Sequence, residues 1–397
     1  MTFRPNRMKF GVFMAPFHRV GEKPTVALER DLELIEHLDR LDFDEAWIGE
    51  HHSAGWEIIA SPEVMIAAAA QRTRTIKLGT GVSSLPYHHP FILADRMVQL
   101  DHLTRGRAMF GVGPGALTSD AYMMGIEALT QRQRMDESLG AILALFRGET
   151  VTMKTDWFTL QEARLQLAPY TYPHMPVAVA STFSPAGPTS AGKHGVGVLS
   201  VAVSQPGGMI SLPKTWEMFE DAAVKAGNVP DRNTWRLVIP FHLSDTREQA
   251  LADVAEGSVQ FNTEYFENTL GRPSDPNVPG DVQSQVDRGG AIIGTPDDAI
   301  AAVERMLEIS GGFGTLLGLA HEWTTWEKTK HSFELWARYV APHFQGQLDR
   351  VRADQAFVAE NRASIFGPNL AAIGKAFVDA GIEFPVAGLE RMQRGNT

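Results

Sequence analysis

The chain has 397 residues, 44% hydrophobic and 21% charged, a composition that predicts a large folded core. Its formal net charge of -11 argues against nucleic acid or an anionic membrane as the main partner, although helix N-termini can still bind a phosphate. It contains no cysteine, which excludes thiolate nucleophiles, iron–sulfur clusters, zinc–thiolate sites and disulfides. We see no signal-like start and no apolar run long enough to span a membrane, so we expect a cytoplasmic protein.

Apolar strands alternate with amphipathic helices along most of the chain, a pattern typical of a parallel sheet built from βα units. Eight strands are predicted, at Lys9–Met14, Glu45–Gly49, Ile76–Val82, Arg107–Gly113, Val177–Ala180, Val196–Leu199, Trp235–Leu243 and Thr315–Leu319. The clearest helix start is Thr295, an N-cap followed by Pro296 and two acidic residues. This order predicts an α/β fold, a (β/α)8 TIM barrel over residues 1–345.

Two segments interrupt the alternation, and a tail follows it. Val151–Leu167 alternates polar and aromatic residues and predicts a β-hairpin. Phe261–Arg288, after the seventh predicted strand, is rich in Asn, Asp, Pro and Gly. We expect an insertion there, at about residues 258–293, that buries little apolar surface and covers the barrel mouth as a mobile lid. After Pro342, charged and helix-prone residues predict a helical C-terminal extension over residues 346–397.

Three ionisable residues follow the second predicted strand directly. The apolar run Ala46-Trp47-Ile48 ends at Gly49, and Glu50, His51 and His52 come next. Because the carboxyl ends of barrel strands carry catalytic groups, His51 is the candidate catalytic residue, a proton donor or acceptor near neutral pH. The alternative is that Glu50 or His52 only hydrogen-bonds a neighbouring loop.

Two further histidines, His88 and His89, follow the third predicted strand, so four histidines are expected on one face of the barrel. Such a cluster raises the alternative of a metal site. A metal-dependent barrel hydrolase would typically show a His-x-His strand and an Asp after the last strand. Here the first strand runs into His18 and the last into His321 and Glu322, so we expect no metal.

Glycine-rich stretches end the third and fourth predicted strands, at Gly79-Thr80-Gly81-Val82 and Gly111-Val112-Gly113-Pro114-Gly115. The second is not a dinucleotide-binding loop, because Thr118 stands where the third glycine should be and Pro114 has no N–H. Strand ends without side chains would let a flat ring approach the backbone. Tight helix packing on the barrel is the alternative for any single glycine.

A hydroxyl-rich turn, Ser181-Thr182-Phe183-Ser184-Pro185-Ala186-Gly187-Pro188, follows the fifth predicted strand and opens a helix. Hydroxyls and free N–H groups at a helix N-terminus form a cradle for a phosphate. An ordinary capped turn is the alternative.

These motifs, in this order, resemble the bacterial luciferase-like family of flavin-dependent monooxygenases, from Lys9 to about Phe344. The resemblance rests on Trp47-Ile48-Gly49-Glu50-His51-His52, Gly79-Thr80-Gly81-Val82, Leu85-Pro86, His89-Pro90, Leu100-Asp101, Gly106-Arg107, Phe110-Gly111-Val112-Gly113-Pro114-Gly115 and Gly294-Thr295-Pro296-Asp297. Gly312-Phe313-Gly314-Thr315 and Ala320-His321-Glu322-Trp323 are most similar to the branch that contains limonene and diketocamphane monooxygenases.

The resemblance implies a TIM barrel with a large insertion after the seventh strand. It also implies a two-component monooxygenase, in which a separate flavin reductase supplies reduced FMN. With O2, such an enzyme oxygenates a small apolar organic substrate, by epoxidation or Baeyer–Villiger insertion. We expect a homodimer. The alternatives are a deazaflavin-dependent oxidoreductase on the same fold and a non-catalytic flavin-binding subunit.

Residue by residue, the resemblance assigns the site as follows. His51 matches the family's catalytic histidine, and Gly81 and Val82 match a cis peptide beneath the flavin ring. Ser181 and Thr182, with Ala186 and Gly187, match the phosphate-binding turn. Luciferases carry a Cys-Arg pair after the fourth strand, where this chain has Gly113 and Pro114, so the phosphate needs other donors. Gly113 is kept as a cofactor contact. A water-excluding mouth is expected from Met14, Phe17, Met123, Met124 and Trp323.

Overall fold

Eight parallel strands close a barrel in the computed structural model, which describes residues 2–15, 17–272 and 280–383. The strands are β1 Lys9–Met14, β2 Glu45–Ile48, β3 Lys77–Thr80, β4 Ser83–Ser84, β5 Ala108–Gly113, β6 Val151–Lys154, β7 Thr159–Ala163, β8 Val177–Ser181, β9 Gly197–Ser200, β10 Trp235–Leu243, β11 Ile292–Gly294 and β12 Thr315–Leu319. Barrel order is β1, β2, β3, β5, β8, β9, β10 and β12, and β12 pairs with β1. The predicted (β/α)8 barrel is confirmed.

Helices follow the barrel strands and cover the sheet. They are α1 Pro24–Arg40, α2 Pro62–Arg72, α3 Pro90–Thr104, α4 Thr118–Met123, α5 Gln131–Phe146, α6 Ala186–His194, α7 Gly208–Ala226, α8 Arg247–Gln260, α9 Val282–Asp287, α10 Pro296–Ser310, α11 Trp326–Leu335, α12 Ala341–Phe344, α13 Asp349–Glu360 and α14 Arg362–Asp379. Short 3-10 turns lie at Leu85–Tyr87 and Arg232–Thr234, and a π-helix at Trp336–Val340 joins α11 to α12. Thr295 caps α10 as predicted, with Asp298 closing the capping box.

The strands differ from the prediction in two short pieces. The predicted third strand stops at Thr80, and pairing with β5 resumes at β4, where Ser84 lies opposite Gly113. β11 was not predicted; it extends the sheet beside the end of β10, with Ile292 opposite Phe241. The predicted hairpin is confirmed as the antiparallel pair β6 and β7.

A layer of apolar side chains fills the barrel interior. Its buried members are Phe13, Trp47, Met109, Ala178, Leu199, Val238 and Leu317. At the N-terminal end of the strands, Arg236 makes a bidentate pair with Glu45, at 2.7 and 3.0 Å, and Trp47 Nε1 donates to the same carboxylate at 2.9 Å. Hydrogen bonds and charge together compensate the burial of this carboxylate. The interior is therefore a packed core, and the space for a ligand lies at the other end of the strands.

The expectation of an insertion that buries little apolar surface is wrong for the residues on either side of 273–279. α8 continues directly as a π-helix, Phe261–Thr269, and α9 follows at Val282–Asp287. Phe261, Tyr265 and Val282 are buried in one cluster with Trp56 and Trp323. Pro273, Asp275, Pro276, Asn277 and Pro279, which supported the lid hypothesis, lie outside the described residues.

The chain divides into two compact units, Met1–Gln345 and Gly346–Thr397. The second unit contains α13 and α14, so the described part of the predicted tail is helical, and neither helix has a buried residue. Within residues 2–15, 17–272 and 280–383, no helix combines the length and apolar character needed to cross a membrane.

Candidate active site

His51 lies just beyond β2, between two buried carboxylates. Its Nε2 is 2.9 Å from Oε2 of Glu57, and its Nδ1 is 3.2 Å from Oδ2 of Asp120. The backbone N–H of His51 donates to the carbonyl oxygen of Ile59 at 3.1 Å, which fixes the loop. Glu57 is 5% exposed and Asp120 1% exposed, so both carboxylates need a partner charge or donor.

The two carboxylates determine the protonation state of His51. Burial, the largest single effect, lowers the pKa of His51, but hydrogen bonds and charges from Asp120 and Glu57 together raise it from 6.5 to about 9. His51 is therefore an imidazolium at neutral pH, with Nδ1 hydrogen-bonded to Asp120 and Nε2 in ion-pair contact with Glu57. It is poised to donate a proton.

Asp120, in α4, ties this arrangement together. Its Oδ1 accepts from the backbone N–H of His52 at 3.1 Å and from the hydroxyl of Ser53. Burial raises the pKa of Asp120. The hydrogen bonds of His51 and Ser53 lower this pKa by more, so the net shift is downward. Asp120 is thus an ionised partner that orients the His51 ring.

Glu50 forms a second, adjacent network. Its Oε1 accepts from Nε2 of His52 at 2.9 Å and of His88 at 2.8 Å, and its Oε2 accepts from the backbone N–H of Ser84 at 2.8 Å. Burial raises the pKa of Glu50, but these donors lower it overall. The sequence left open the alternative that Glu50 or His52 only hydrogen-bonds a neighbouring loop. The contacts of Glu50 and His52 agree with that alternative.

The four predicted histidines do not form one group. His89 is the N-cap residue of α3 and joins neither network, whereas His51 and His52 share contacts with Asp120. Throughout the described part of the chain, no three His, Cys, Asp or Glu residues are placed to hold a metal ion. Both networks are instead ion pairs and hydrogen bonds between protein groups.

The peptide bond between Gly81 and Val82 is cis, as the resemblance implies. The glycines around it, however, make room for protein side chains. A Cβ on Gly79 would come within 2.8 Å of the ring of Trp47, and one on Gly113 within 2.7 Å of Cγ2 of Val82. Close packing thus accounts for these two glycines, and the role of Gly113 as a cofactor contact stays a prediction. Val82, which is only half-buried, covers Gly113.

The turn after β8 has the chemistry of an anion site. Ser181 is buried and Thr182 exposed, and α6 starts at Ala186 with Ser184 Oγ accepting from the Ala186 N–H at 3.3 Å. A Cβ on Gly187 would come within 2.5 Å of the carbonyl oxygen of Ala180, so the helix start packs closely on the strand end. Hydroxyls and a helix N-terminus fit a phosphate without a cation.

An open groove of about 880 Å³ lies elsewhere, between α1, α8 and α11. Met14, Phe17 and Trp323 of the expected mouth line it, but Met123 is 70% exposed in α4 and Met124 follows it. Its walls also carry charged side chains, Glu22, Arg30, Asp31, Asp253, Glu256, Glu322 and Lys328. None of the predicted cofactor or catalytic residues lines the groove, so its charged walls are distinct from the site around His51.

Sequence reasoning missed Glu57 and Asp120. Glu57 belongs to the loop after His51, where it bridges to Phe17, and Asp120 belongs to a short helix after β5. No local pattern marks either residue, since each becomes significant only through its contact with His51. The contact of these two carboxylates with His51 is visible only in the three-dimensional structure.

Comparisons with known proteins identify the family of the chain. The sequence model of the family described as "Luciferase-like monooxygenase" matches residues 8–312. Limonene 1,2-monooxygenase of Rhodococcus erythropolis is 49% identical over 365 residues, which cover 92% of this chain and 94% of that protein. The 4-hydroxyprotoasukamycin monooxygenase of Streptomyces nodosus subsp. asukaensis is 47% identical over 360 residues, 89% of this chain and 97% of that protein.

A solved structure gives the same result at the level of the fold. The oxygenating constituent of 3,6-diketocamphane monooxygenase from Pseudomonas putida, a type II Baeyer–Villiger monooxygenase in complex with FMN, superposes with a TM-score of 0.73. It is 26% identical and covers 85% of this chain and 98% of that one. The barrel, the site at its strand ends and the extent of these matches identify the chain as a member of the luciferase-like monooxygenase family.

Proposed function

We propose that this chain is the oxygenase component of a two-component, FMN-dependent monooxygenase. The observation that carries the proposal is the protonated His51, held by Glu57 and Asp120 at the catalytic end of the barrel. The similarity to an FMN-bound Baeyer–Villiger monooxygenase supports the choice of cofactor. A separate flavin reductase and a homodimer belong to the same proposal.

The residues fit FMN in two places. The hydroxyls of Ser181 and Thr182 and the first turn of α6, at Ala186 and Gly187, would bind the phosphate. The strand ends at Gly81–Val82 and at Gly113 would lie against the flavin ring, and Val82, half-buried beside Gly113, would provide an apolar contact. Reduced FMN would supply the electrons that activate O2.

His51 would act as a proton donor at neutral pH. Its Nδ1 is held by Asp120 and its Nε2 contacts Glu57, so a proton can leave one nitrogen while the other contact keeps the ring oriented. Asp120 would keep the ring in place through its own bonds to the loop at His52 and Ser53.

The substrate would be a small apolar organic molecule. Limonene monooxygenase, a relative of high identity over almost the full length of this chain, is named for a terpene hydrocarbon, so limonene is the first substrate to test. Epoxidation is the reaction expected for an isolated alkene, and a cyclic ketone tests Baeyer–Villiger insertion.

The experiment supplies purified protein with reduced FMN, limonene and ¹⁸O₂, and follows the product by mass spectrometry. One ¹⁸O atom per product molecule is expected. His51→Gln should lower product formation about 10²- to 10⁴-fold, the usual range for a group that moves a proton. His331→Gln, at a half-exposed histidine of α11, is the matched control. No oxygenated product from alkenes or ketones, or full activity of His51→Gln, would contradict the proposal.

A further inference from the structure

Tyr265 connects the segment after α8 to the candidate catalytic histidine. Its hydroxyl donates a hydrogen bond to Oε1 of Glu57, and the other oxygen of the same carboxylate lies 2.9 Å from Nε2 of His51. Tyr265 is 2% exposed and Glu57 5% exposed. One buried carboxylate therefore has two proton-bearing partners, and each binds a different oxygen.

Aromatic packing holds the Tyr265 ring independently of its hydroxyl. Ring centroids lie 5.3 Å away for Phe17, 5.6 Å for Trp56, 5.8 Å for Phe261 and 5.1 Å for Phe266. A ring enclosed on this many sides keeps its place when only the hydroxyl is removed. The position of the donor is thus a property of the π-helix Phe261–Thr269 and of the loops it packs on.

We propose that Tyr265 is a positioning residue for His51: its hydroxyl fixes the Glu57 carboxylate against the imidazole and withdraws part of the negative charge that holds the proton there. The inference rests on the proposed function, since a tuned proton affinity matters only if His51 moves a proton. It gives the residues after β10 a chemical role in the site.

The sign of the effect follows from competition for one carboxylate. A neutral donor stabilises an anion more when no cation already neutralises it, so the Tyr265 hydroxyl favours the state in which His51 is neutral more than the state in which it is charged. This coupling is reciprocal, because both groups act on the same oxygen pair. Loss of the hydroxyl should therefore strengthen the hold of Glu57 on the His51 proton.

Other charged groups also act on His51 and Tyr265 and contribute to the pKa of His51 in the parent protein. Asp120 approaches the opposite nitrogen of His51, and His52, whose pKa is raised by its hydrogen bond to Glu50, interacts with His51 through charge. Arg272 and Asp120 act on Tyr265 through their charges. All of these groups remain in place in a Tyr265→Phe variant, so any difference from the parent protein reports on the hydroxyl.

The test follows the His51 imidazole by NMR in flavin-free protein with ¹⁵N-labelled histidine, assigned by its absence in His51→Gln. In Tyr265→Phe the pKa of His51 should rise above the parent value of about 9. We expect a rise of about half to one unit, which means a three- to tenfold smaller neutral fraction at a given pH above neutrality. Tyr339→Phe, at a half-exposed tyrosine, is the matched control and should leave the titration unchanged.

Glu57→Gln supplies the second arm of the test. It should lower the pKa of His51, and adding Tyr265→Phe in that background should change nothing further, because the hydroxyl acts only through the carboxylate. An unchanged or lowered pKa in Tyr265→Phe alone would overturn the proposal, as would an effect that persists without the Glu57 charge. The readout needs neither flavin nor substrate, so these outcomes are independent of whether the oxygenase activity itself is found.

Discussion

The protonation state of His51 predicts how stability depends on pH. Its folded-state pKa of about 9 lies about 2.5 units above the unfolded value of 6.5, which corresponds to about 3 kcal/mol of stabilisation. Because the folded pKa is the higher one, this stabilisation is fully present below pH 6.5 and is lost as the pH rises through 9. Most of it should disappear within that window, about 2–3 kcal/mol.

Denaturant unfolding of the parent protein and of His51→Gln measures this term. The free energies of unfolding are compared at pH 6.5 and at pH 9, and the gap between the two proteins should shrink by the amount above. Comparing the gap at two pH values cancels contributions from groups that titrate alike in both proteins.

A gap of the same size at both pH values would refute the reasoning, since it would mean that His51 is neutral in the folded protein. A gap that grows with pH would refute it equally. His331→Gln is the control: this histidine is 47% exposed, and its replacement should leave the pH dependence unchanged.

Three further predictions concern the cofactor, the core and the insertion. Reduced FMN should bind more tightly than FAD in a calorimetric titration, because the turn from Ser181 to Gly187 offers a single anion site; equal or tighter FAD binding would contradict this. Glu45→Gln should cost about 3–5 kcal/mol in denaturant unfolding, since it leaves Arg236 buried without its counter-charge, and a loss below about 1 kcal/mol would argue against that pairing. Limited proteolysis tests the insertion Phe261–Arg288: cleavage within it should slow when reduced FMN binds, and cleavage that ignores the ligand would rule out a lid.

The barrel was predictable because its strands are long enough to show their pattern. Lys9–Met14, Trp235–Leu243 and Thr315–Leu319 lie where the sequence placed them, since each is a run of apolar or β-favouring residues bounded by polar or glycine-rich turns. β4 and β11 have two and three residues, too few for any periodicity to be visible. Their pairing depends on a neighbouring strand rather than on their own sequence.

The structure of the segment after β10 was harder to predict, because the lid hypothesis rested on the composition of the whole segment. Its Pro- and Asn-rich middle dominates that composition. Phe261 and Tyr265, however, are spaced by four residues, the spacing of one helical face. That pair continues the apolar face of α8 and packs on the loops after β1 and β2. A shorter window would have separated the helical part from the rest.

Strand-end position identified His51, but it could not give the residue's protonation state. The sequence leaves open whether His51 donates or accepts a proton. Its partners, Glu57 and Asp120, decide this, and only the fold brings them to His51. The sequence also does not show which side chains pack against a glycine. Gly79 and Gly113 were interpreted as open backbone, and in the structure a Cβ at these positions would meet Trp47 and Val82.

The placement of two buried carboxylates around one imidazole narrows the chemistry further. Two carboxyl groups at 1% and 5% exposure have lost most of their hydration, so a positive charge between them stabilises the arrangement. His51 supplies that charge, and removing its proton takes this stabilisation away. A proton given up during the reaction must therefore return quickly, and the hydroxyl of Tyr265 on Glu57 lowers the cost of the interval in which it is absent. Proton donation by His51 and the packing of Tyr265 after β10 are for this reason coupled through the Glu57 carboxylate.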